Sequence, residues 1–597
     1  MVKNKFKLPK TFLIILWLIA YCLPLTATVR YVSHDGSNTP PYLTWETAAD
    51  SIMFAINISV FGDTIYVANG IYKERIDMTP GLTLIGAGMD SCIIDSRDFL
   101  FVNEFYSIQV VDDCNISNFS VFTQDIDHGN GILIESGVNS LTTNCKIQEA
   151  YNGIVIFSGN QNKPMISQNL ILDVTDGITS VFAQSIISEN IIYPNEDGLV
   201  SQINSSPTYI NNTIVFVDVN GSIGFRDFQS DSKLKNNLFY GQGSYGIWTY
   251  GDSLVNNTIY GQNGSWGVGI IGAGSDIRNN NVQNTGTGLF YDTGGGSPPV
   301  FKYNNLWNNQ TNFQNFSSDS TNIFSNPMFV NPDSLDFHLQ MYSPLIDAGD
   351  PNILDVDGSR SDIGLWGGPY GGRYTYRDLA PKPPSNLTAV YDSGFVLLRW
   401  NKNTEADFYR YRVYRDTVPN FIYDTTKIIA VVADTFYYDD LPEKYLQTDY
   451  YYKLTAMDST GHQSAASEEV RVIITGAPEG PPIVVEQYKL LQNYPNPFNP
   501  STIIPYRLIE PGYVKLYVYD IKGEMVRILV NEYQTTGYYE VEFRPNSSER
   551  GKGNLGLDWA TGYNDDIASG IYIYQIMVKS DRNIPVFTGM NKMLMIK

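Results

Sequence analysis

LTTN at 141–144, ISQN at 166–169, ISEN at 187–190, YINN at 209–212, LKNN at 234–237, LVNN at 254–257, IRNN at 277–280 and FKYN at 301–304 are variants of one phrase: an apolar residue, two spacers, then Asn. Asn144, Asn169, Asn190, Asn212, Asn237, Asn257, Asn280 and Asn304 follow at intervals of 25, 21, 22, 25, 20, 23 and 24 residues. A second phrase, Gly or Ser before an apolar residue, trails each Asn: Gly153-Ile154, Gly177-Ile178, Gly198-Leu199, Ser222-Ile223, Gly246-Ile247, Gly267-Val268 and Gly288-Leu289. A fixed period of this size marks stacked repeats. Apolar alternation such as Ile154-Val155-Ile156, broken by Gly and Asn, is strand chemistry and not helix chemistry. A coil of about 22 residues holds about three short strands and their turns, and each coil pairs with the next at about 4.8 Å. Equivalent residues then lie one above another, and Asn above Asn can pass amide hydrogen bonds along the stack. The repeat predicts an all-β chain built on a right-handed parallel β-helix.

The chain has 597 residues, too many for one ordinary domain, and 40 Lys and Arg against 62 Asp and Glu leave a net charge of −22. That charge disfavours nucleic acid and anionic membrane surfaces as partners. Residues 1–28 read as a secretory signal: Lys3, Lys5, Lys7 and Lys10 precede an apolar run from Thr11 to Leu25, and Thr26-Ala27-Thr28 offers a cleavage site. No span of a membrane is expected once it is removed. Cys92, Cys114 and Cys145 each begin a Cys-x-Ile phrase, which suggests one column of neighbouring coils. They read as small stacked hydrophobes or, at coil spacing, as a disulfide with one Cys left over.

Outward from the repeats, Thr44–Ile58 carries an amphipathic pattern with Trp45, Ala49, Ile52 and Ala55 or Ile56 on one face. It is expected to cap the open first coil, because a stacked core needs a covered end. Gly62-Asp63-Thr64-Ile65 and Gly70-Ile71-Tyr72-Lys73-Glu74 follow. These phrases resemble the start of secreted pectin-lyase-like β-helix proteins, where they are structural. At the far end Ser343-Pro344-Leu345-Ile346-Asp347-Ala348-Gly349 resembles the closing segment of such proteins, which sets the helical domain at 29–378.

Past the Pro-rich linker at 380–384, Trp400, YRYRVYRD at 409–416 and DYYYKLTAMD at 449–458 resemble a fibronectin type III domain spanning 382–475. Tyr450, Tyr452, Leu454 and Ala456 alternate inward, as a sandwich strand requires. A linker at 476–487 leads to LLQNYPNPFNPSTIIPY, VKLYVYDIKGEMVRILV, ASGIYIYQIMV and NKMLMIK. In that order they resemble the type IX secretion sorting domain, here 488–597. The resemblance implies export by the type IX machinery and a secreted or surface-attached protein with two immunoglobulin-like β-sandwiches after the β-helix. Pro545–Leu557 reads as a surface-loop insertion in this domain.

No enzyme signature of the β-helix families is complete, so catalysis stays open. Basic residues are sparse in the coils: Lys146, Lys163, Arg226, Lys233, Lys235, Arg278 and Lys302. One column stands out, the residue before each Gly phrase: Asn130, Asn152, Asp176, Asp197, then Tyr245 and Trp266. Asp176 and Asp197, one coil apart, form the candidate catalytic pair, since two adjacent carboxylates cannot both ionise freely. A raised carboxyl beside an ionised one suits glycoside chemistry. Asn130, Asn152, Tyr245 and Trp266 are candidates for binding extracellular polysaccharide, the rings by stacking on sugars. The competing readings are a turn column and a non-catalytic adhesin or structural surface protein. Asp355, Asp357 and Asp362 fall in a D-x-D-G-x-x-x-D spacing that could hold Ca²⁺ or stabilise a turn.

Overall fold

The computed structural model describes residues 27–99, 106–123, 129–135, 139–159, 163–216, 221–262, 266–392, 395–440, 449–473, 488–535, 537–544, 568–580 and 584–596. Most of the proposed signal segment and the Pro545–Leu557 insertion lie outside these residues. The repeat region is a parallel β-solenoid. One sheet of twelve strands runs from Val29–Val32 to Val300–Lys302, and a second of nineteen strands forms the other two faces. In the middle coils the two arms of the second sheet fuse into strands of twelve residues, Lys146–Phe157, Leu170–Val181 and Ile191–Gln202. Two antiparallel units follow, each a three-stranded and a four-stranded sheet, with strands between Thr388 and Ile473 and between Lys489 and Met595.

Register explains the repeats. Ile132, Ile154, Ile178, Leu199, Phe225, Ile247, Ile270 and Leu289 stack in one inward column. Beside it runs a glycine column, Gly131, Gly153, Gly177, Gly198, Gly224, Gly246, Gly269 and Gly288. A Cβ on Gly177 would lie 2.3 Å from the carbonyl oxygen of Gly198 and 2.5 Å from Ile192, so the bend admits no side chain. The column runs through Gly224 and Gly269, not through the expected Ser222 and Gly267.

The asparagine ladder forms. The amide of Asn190 donates to Asn212 Oδ1 at 2.9 Å and to the Ile166 carbonyl at 3.0 Å. Its own Oδ1 accepts both the backbone N–H and the amide of Asn169, each at 3.0 Å. The same pattern carries through Asn237, Asn257, Asn280 and Asn304 to Asn322, which the repeat reading did not include. Asn144 does not belong to it. Thr143 pairs with Ser167, so Asn144 stands opposite Gln168, and Cys145 occupies the ladder position with its N–H on Asn169 Oδ1 at 3.0 Å. Asn144 instead fills the left-handed turn residue at φ 51°, as Asn211, Asn236, Asn256 and Asn279 do at φ 54°, 54°, 60° and 55°. Asn adopts that conformation at less cost than other non-glycine residues.

This outer Asn column has a second use. The closing segment folds back along it: Asn236 donates to the carbonyls of Leu365 and Gly367, Asn256 to that of Asp362, and Asn211 to that of Tyr370. Asn279 Oδ1 accepts the Asp350 N–H at 2.6 Å.

The N-terminal cap is shorter than expected. Trp45–Thr47 is a single 3₁₀ turn and Ile52–Asn57 the only α-helix among the described residues. Ala49 interrupts the pattern because it bridges Val32 as strand, which leaves Trp45 exposed at 46%. Ile52, Ala55 and Ile56 still cover the first coil. Glu74 of the Gly70–Glu74 phrase anchors this helix: its carboxylate accepts from Ser51 Oγ and from the N–H groups of Ile52 and Met53 at 2.7, 2.7 and 3.1 Å. Those N–H groups have no partner within a helix.

Cys92, Cys114 and Cys145 are buried and free. Ile93 and Lys146 both pair with Ser120, so Cys92 and Cys145 share a column with Phe119 between them, and Cys114 lies in another.

Candidate functional site

One column lies immediately before the glycine bend, and past the bend the second arm of each coil points alternate side chains outward. Asn130, Asn152, Asp176 and Asp197 are direct partners across four successive strands. The next two positions are Ile223 and Tyr245. Trp266 is not in the column: Val268 pairs with Tyr245, and Trp266 pairs with Thr285. The side chain of Trp266 lies outside the described residues.

The column is bonded along its length. Asn152 donates to Asn130 Oδ1 at 2.8 Å, and Thr179 donates to Asn152 Oδ1 at 3.3 Å. Arg226, which stands beside Val200 in the neighbouring outward column, reaches back to Asp197. Its Nη2 donates to Oδ1 at 3.0 Å and its Nε lies 2.8 Å from Oδ2. Only Nη2 is placed to donate a hydrogen bond; the Nε contact is an ion pair by distance, and Asp197 is left 6% exposed. Burial raises both acids, Asp176 to about 6 and Asp197 to about 7, with Arg226 pulling each down and each feeling a neighbouring carboxylate. Burial is thus the main reason both carboxyls lie above the usual carboxylate range.

Two coils on, the strand Tyr245–Tyr250 sets three rings on the same outer face. Tyr245 and Trp248 have centroids 5.4 Å apart at 62°, and Trp248 and Tyr250 6.4 Å apart at 58°. All three are half-buried, and Tyr250 is fixed by a 2.8 Å bond to Asp292 Oδ2. Trp248 and Tyr250 were missed in the sequence. The signal was there in their alternation past Gly246, which is the same parity that places Val155 and Phe157 past Gly153.

Asp355, Asp357 and Asp362 are each engaged in holding the closing segment. Asp355 accepts the N–H groups of Asp362 and Gly368, Asp357 the N–H and the hydroxyl of Ser359, and Asp362 the Asp347 N–H at 2.9 Å and the Tyr376 hydroxyl at 2.8 Å. The three carboxylates are thus bonded within the closing segment, some within the local turn and others across 13 to 15 residues.

One comparison bears on the fold. A family profile described as right handed beta helix region matches residues 86–259. An amylopullulanase of Thermoanaerobacter thermohydrosulfuricus is 37% identical over 91 residues, 15% of this chain and 6% of that protein. The chain thus matches far less than two thirds of that relative's length. An Fn3-like protein from Clostridium thermocellum is similar at 30% identity over 16% of this chain and 92% of its own, with a TM-score of 0.14. The catalytic unit of a thermostable α-1,3-glucanase from Streptomyces thermodiastaticus is 15% identical over 46% of this chain and 64% of its own, with a TM-score of 0.34. The chain carries a right-handed β-helix followed by antiparallel β-sheet domains.

Proposed function

We propose that the outer face running from Asn130 to Tyr250 binds a neutral extracellular polysaccharide laid across successive coils. The observation that carries this reading is the ring platform Tyr245, Trp248 and Tyr250, set two coils from the Asp176–Asp197–Arg226 cluster. Aromatic faces stack on sugar rings, and a small number of fixed polar groups supplies orientation. Two carboxylates against one guanidinium on this face, and a net charge of −22 for the chain, repel a polyanion and favour an uncharged polymer. The test is a glycan array with the full chain, read together with reducing-end release. Capture of neutral glycans supports the reading, and a chain that binds no glycan overturns it.

A second reading, hydrolysis, is favoured by one observation, the carboxyl pair held near neutral pKa. Such a pair can present one protonated and one ionised group at the same pH. Binding without product assigns a non-catalytic adhesin or structural surface protein instead.

Export belongs to the same proposal. The signal-like N-terminal segment and the resemblance of residues 488–597 to type IX sorting domains support a secreted or surface-attached protein. The strand Pro585–Met595 is the edge of its sheet, with Met593 and Met595 buried and Leu594 and Ile596 exposed. The outer side of its end is held within the domain, with the Leu594 N–H on Asn496 Oδ1 and the Leu594 carbonyl accepting from the Phe498 N–H, so the tail is an ordered part of the sandwich.

A further inference from the structure

At the junction of the closing segment with the first sandwich, three ligand-type side chains converge. Asp378 follows Arg377, which bridges Gln340 at the end of the β-helix domain. Asp458 ends the sandwich strand Asp449–Asp458, and His462 lies in the turn after it. One ligand atom from each lies within 4.8 Å of the others. His462 Nδ1 is 3.2 Å from Asp458 Oδ2 and 3.6 Å from Asp378 Oδ2. Zinc bonds of about 2.0–2.1 Å in tetrahedral geometry place ligand atoms about 3.4 Å apart.

The cluster is built and not a chance meeting of surface acids. Asp458 Oδ1 is saturated by the N–H groups of Thr460, Gly461 and His462 and by the Thr460 hydroxyl, which aims Oδ2 at the imidazole. Asp378 Oδ1 is buried and has no hydrogen-bond partner. A further acid close in sequence to the strand that faces this turn, Asp407, is 8% exposed. A buried carboxylate oxygen without a partner, beside a second carboxylate and an imidazole, is what a bound cation offsets.

We propose that Asp378, Asp458 and His462 bind a divalent cation of the zinc class, which clamps the end of the β-helix domain to the sandwich that follows it. A mixed nitrogen and oxygen set suits zinc better than calcium, which takes six to eight oxygens. His462 is half exposed, which leaves a fourth position for water.

The test is zinc uptake by the full chain, measured by equilibrium dialysis with elemental analysis, beside His462→Gln and Asp378→Asn. Asp378→Asn alters a side chain outside the turn, whereas His462→Gln also loses the contacts of Nδ1 with Thr460 Oγ1 and Asp458 Oδ2, so the zinc content of Asp378→Asn is the deciding reading. The expected result is one zinc fewer per chain in each variant than in the wild type, with at least tenfold weaker binding. Thermal stabilisation by zinc is expected in the wild type and not in the variants. Equal zinc in wild type and variants overturns the proposal, as does a wild type that takes up none at micromolar zinc. Calcium displacing the bound zinc at equal concentration overturns the zinc-class assignment.

Discussion

Replacing Asn190 by Leu removes the acceptor for two donors of Asn169, its backbone N–H and one amide hydrogen, each at 3.0 Å. It also removes the donor that serves Asn212 Oδ1 and the Ile166 carbonyl. Asn169 is 1% exposed, so water cannot replace the lost partner. Two stranded donors cost ~1–3 kcal/mol each. The apolar side chain offsets part of this, ~1.5–3 kcal/mol on burial, which leaves a net loss on the order of 1–3 kcal/mol. At ~2.1 cal/mol/K of unfolding entropy per residue, a domain of about 350 residues shifts by roughly 1–1.5 °C per kcal/mol, so calorimetry should show the β-helix transition lowered by about 1–4 °C. The control is Asn144→Gln: Asn144 is exposed, and Gln168 already occupies the same turn position one coil on at φ 57°. That variant should melt like the wild type. An Asn190→Leu protein that melts with the control would show that the ladder contributes nothing.

Three further outcomes are expected. Asp252 is 1% exposed, and burial, aided by the charge of Asp227, pushes its pKa up to about 8. The folded state then keeps a proton that the unfolded chain has already released above the ordinary carboxylate range. Stability from this group is present below about pH 4 and is lost as pH rises through about 8, so Asp252→Asn should flatten the fall in urea midpoint between pH 5 and pH 9; an unchanged slope rejects the assignment. Glu74→Ala strips the helix Ile52–Asn57 of its N-terminal acceptor, and a loss of about 1 kcal/mol in urea unfolding is expected, against none if the cap is idle. Deleting residues 589–597 should leave precursor in the periplasm of a host with type IX machinery while the β-helix still folds, since the deleted residues pair with the strand Gly570–Lys579 of their own sheet; equal surface levels of truncated and full-length protein would refute the sorting assignment.

The fold was legible because a buried ladder demands the same residue once per coil. The one-residue slip at Asn144 has a physical origin. Two adjacent columns both favour Asn, the ladder for its paired donor and acceptor and the turn for its tolerance of positive φ. Asn211-Asn212, Asn236-Asn237, Asn256-Asn257 and Asn279-Asn280 fill both, whereas at 144–145 only the turn position is Asn. The glycine column was misread at Gly267 for a similar reason: Gly267-Val268-Gly269 offers two candidates, and only the pairing of Val268 with Tyr245 decides between them. That slip carried Trp266 into a column it does not occupy. The carboxylate register, Asp176 beside Asp197, was readable because each follows its ladder residue, Asn169 or Asn190, by the same distance, and the irregularities around Val174 leave that spacing equal. Arg226 as partner of Asp197 was not, since it comes from a neighbouring outward column. Nor was the docking of Leu365 and Gly367 on Asn236, because nothing local in either stretch records a contact across about 130 residues.

The most direct measurement is the affinity of the full chain for a neutral polysaccharide that it captures, compared with Trp248→Ala at the centre of the ring platform. An aromatic anchor of this kind contributes about 1–2 kcal/mol, and each 1.4 kcal/mol is tenfold in Kd. The account predicts binding weakened about tenfold with an unchanged melting temperature. Equal Kd for the two proteins would contradict it.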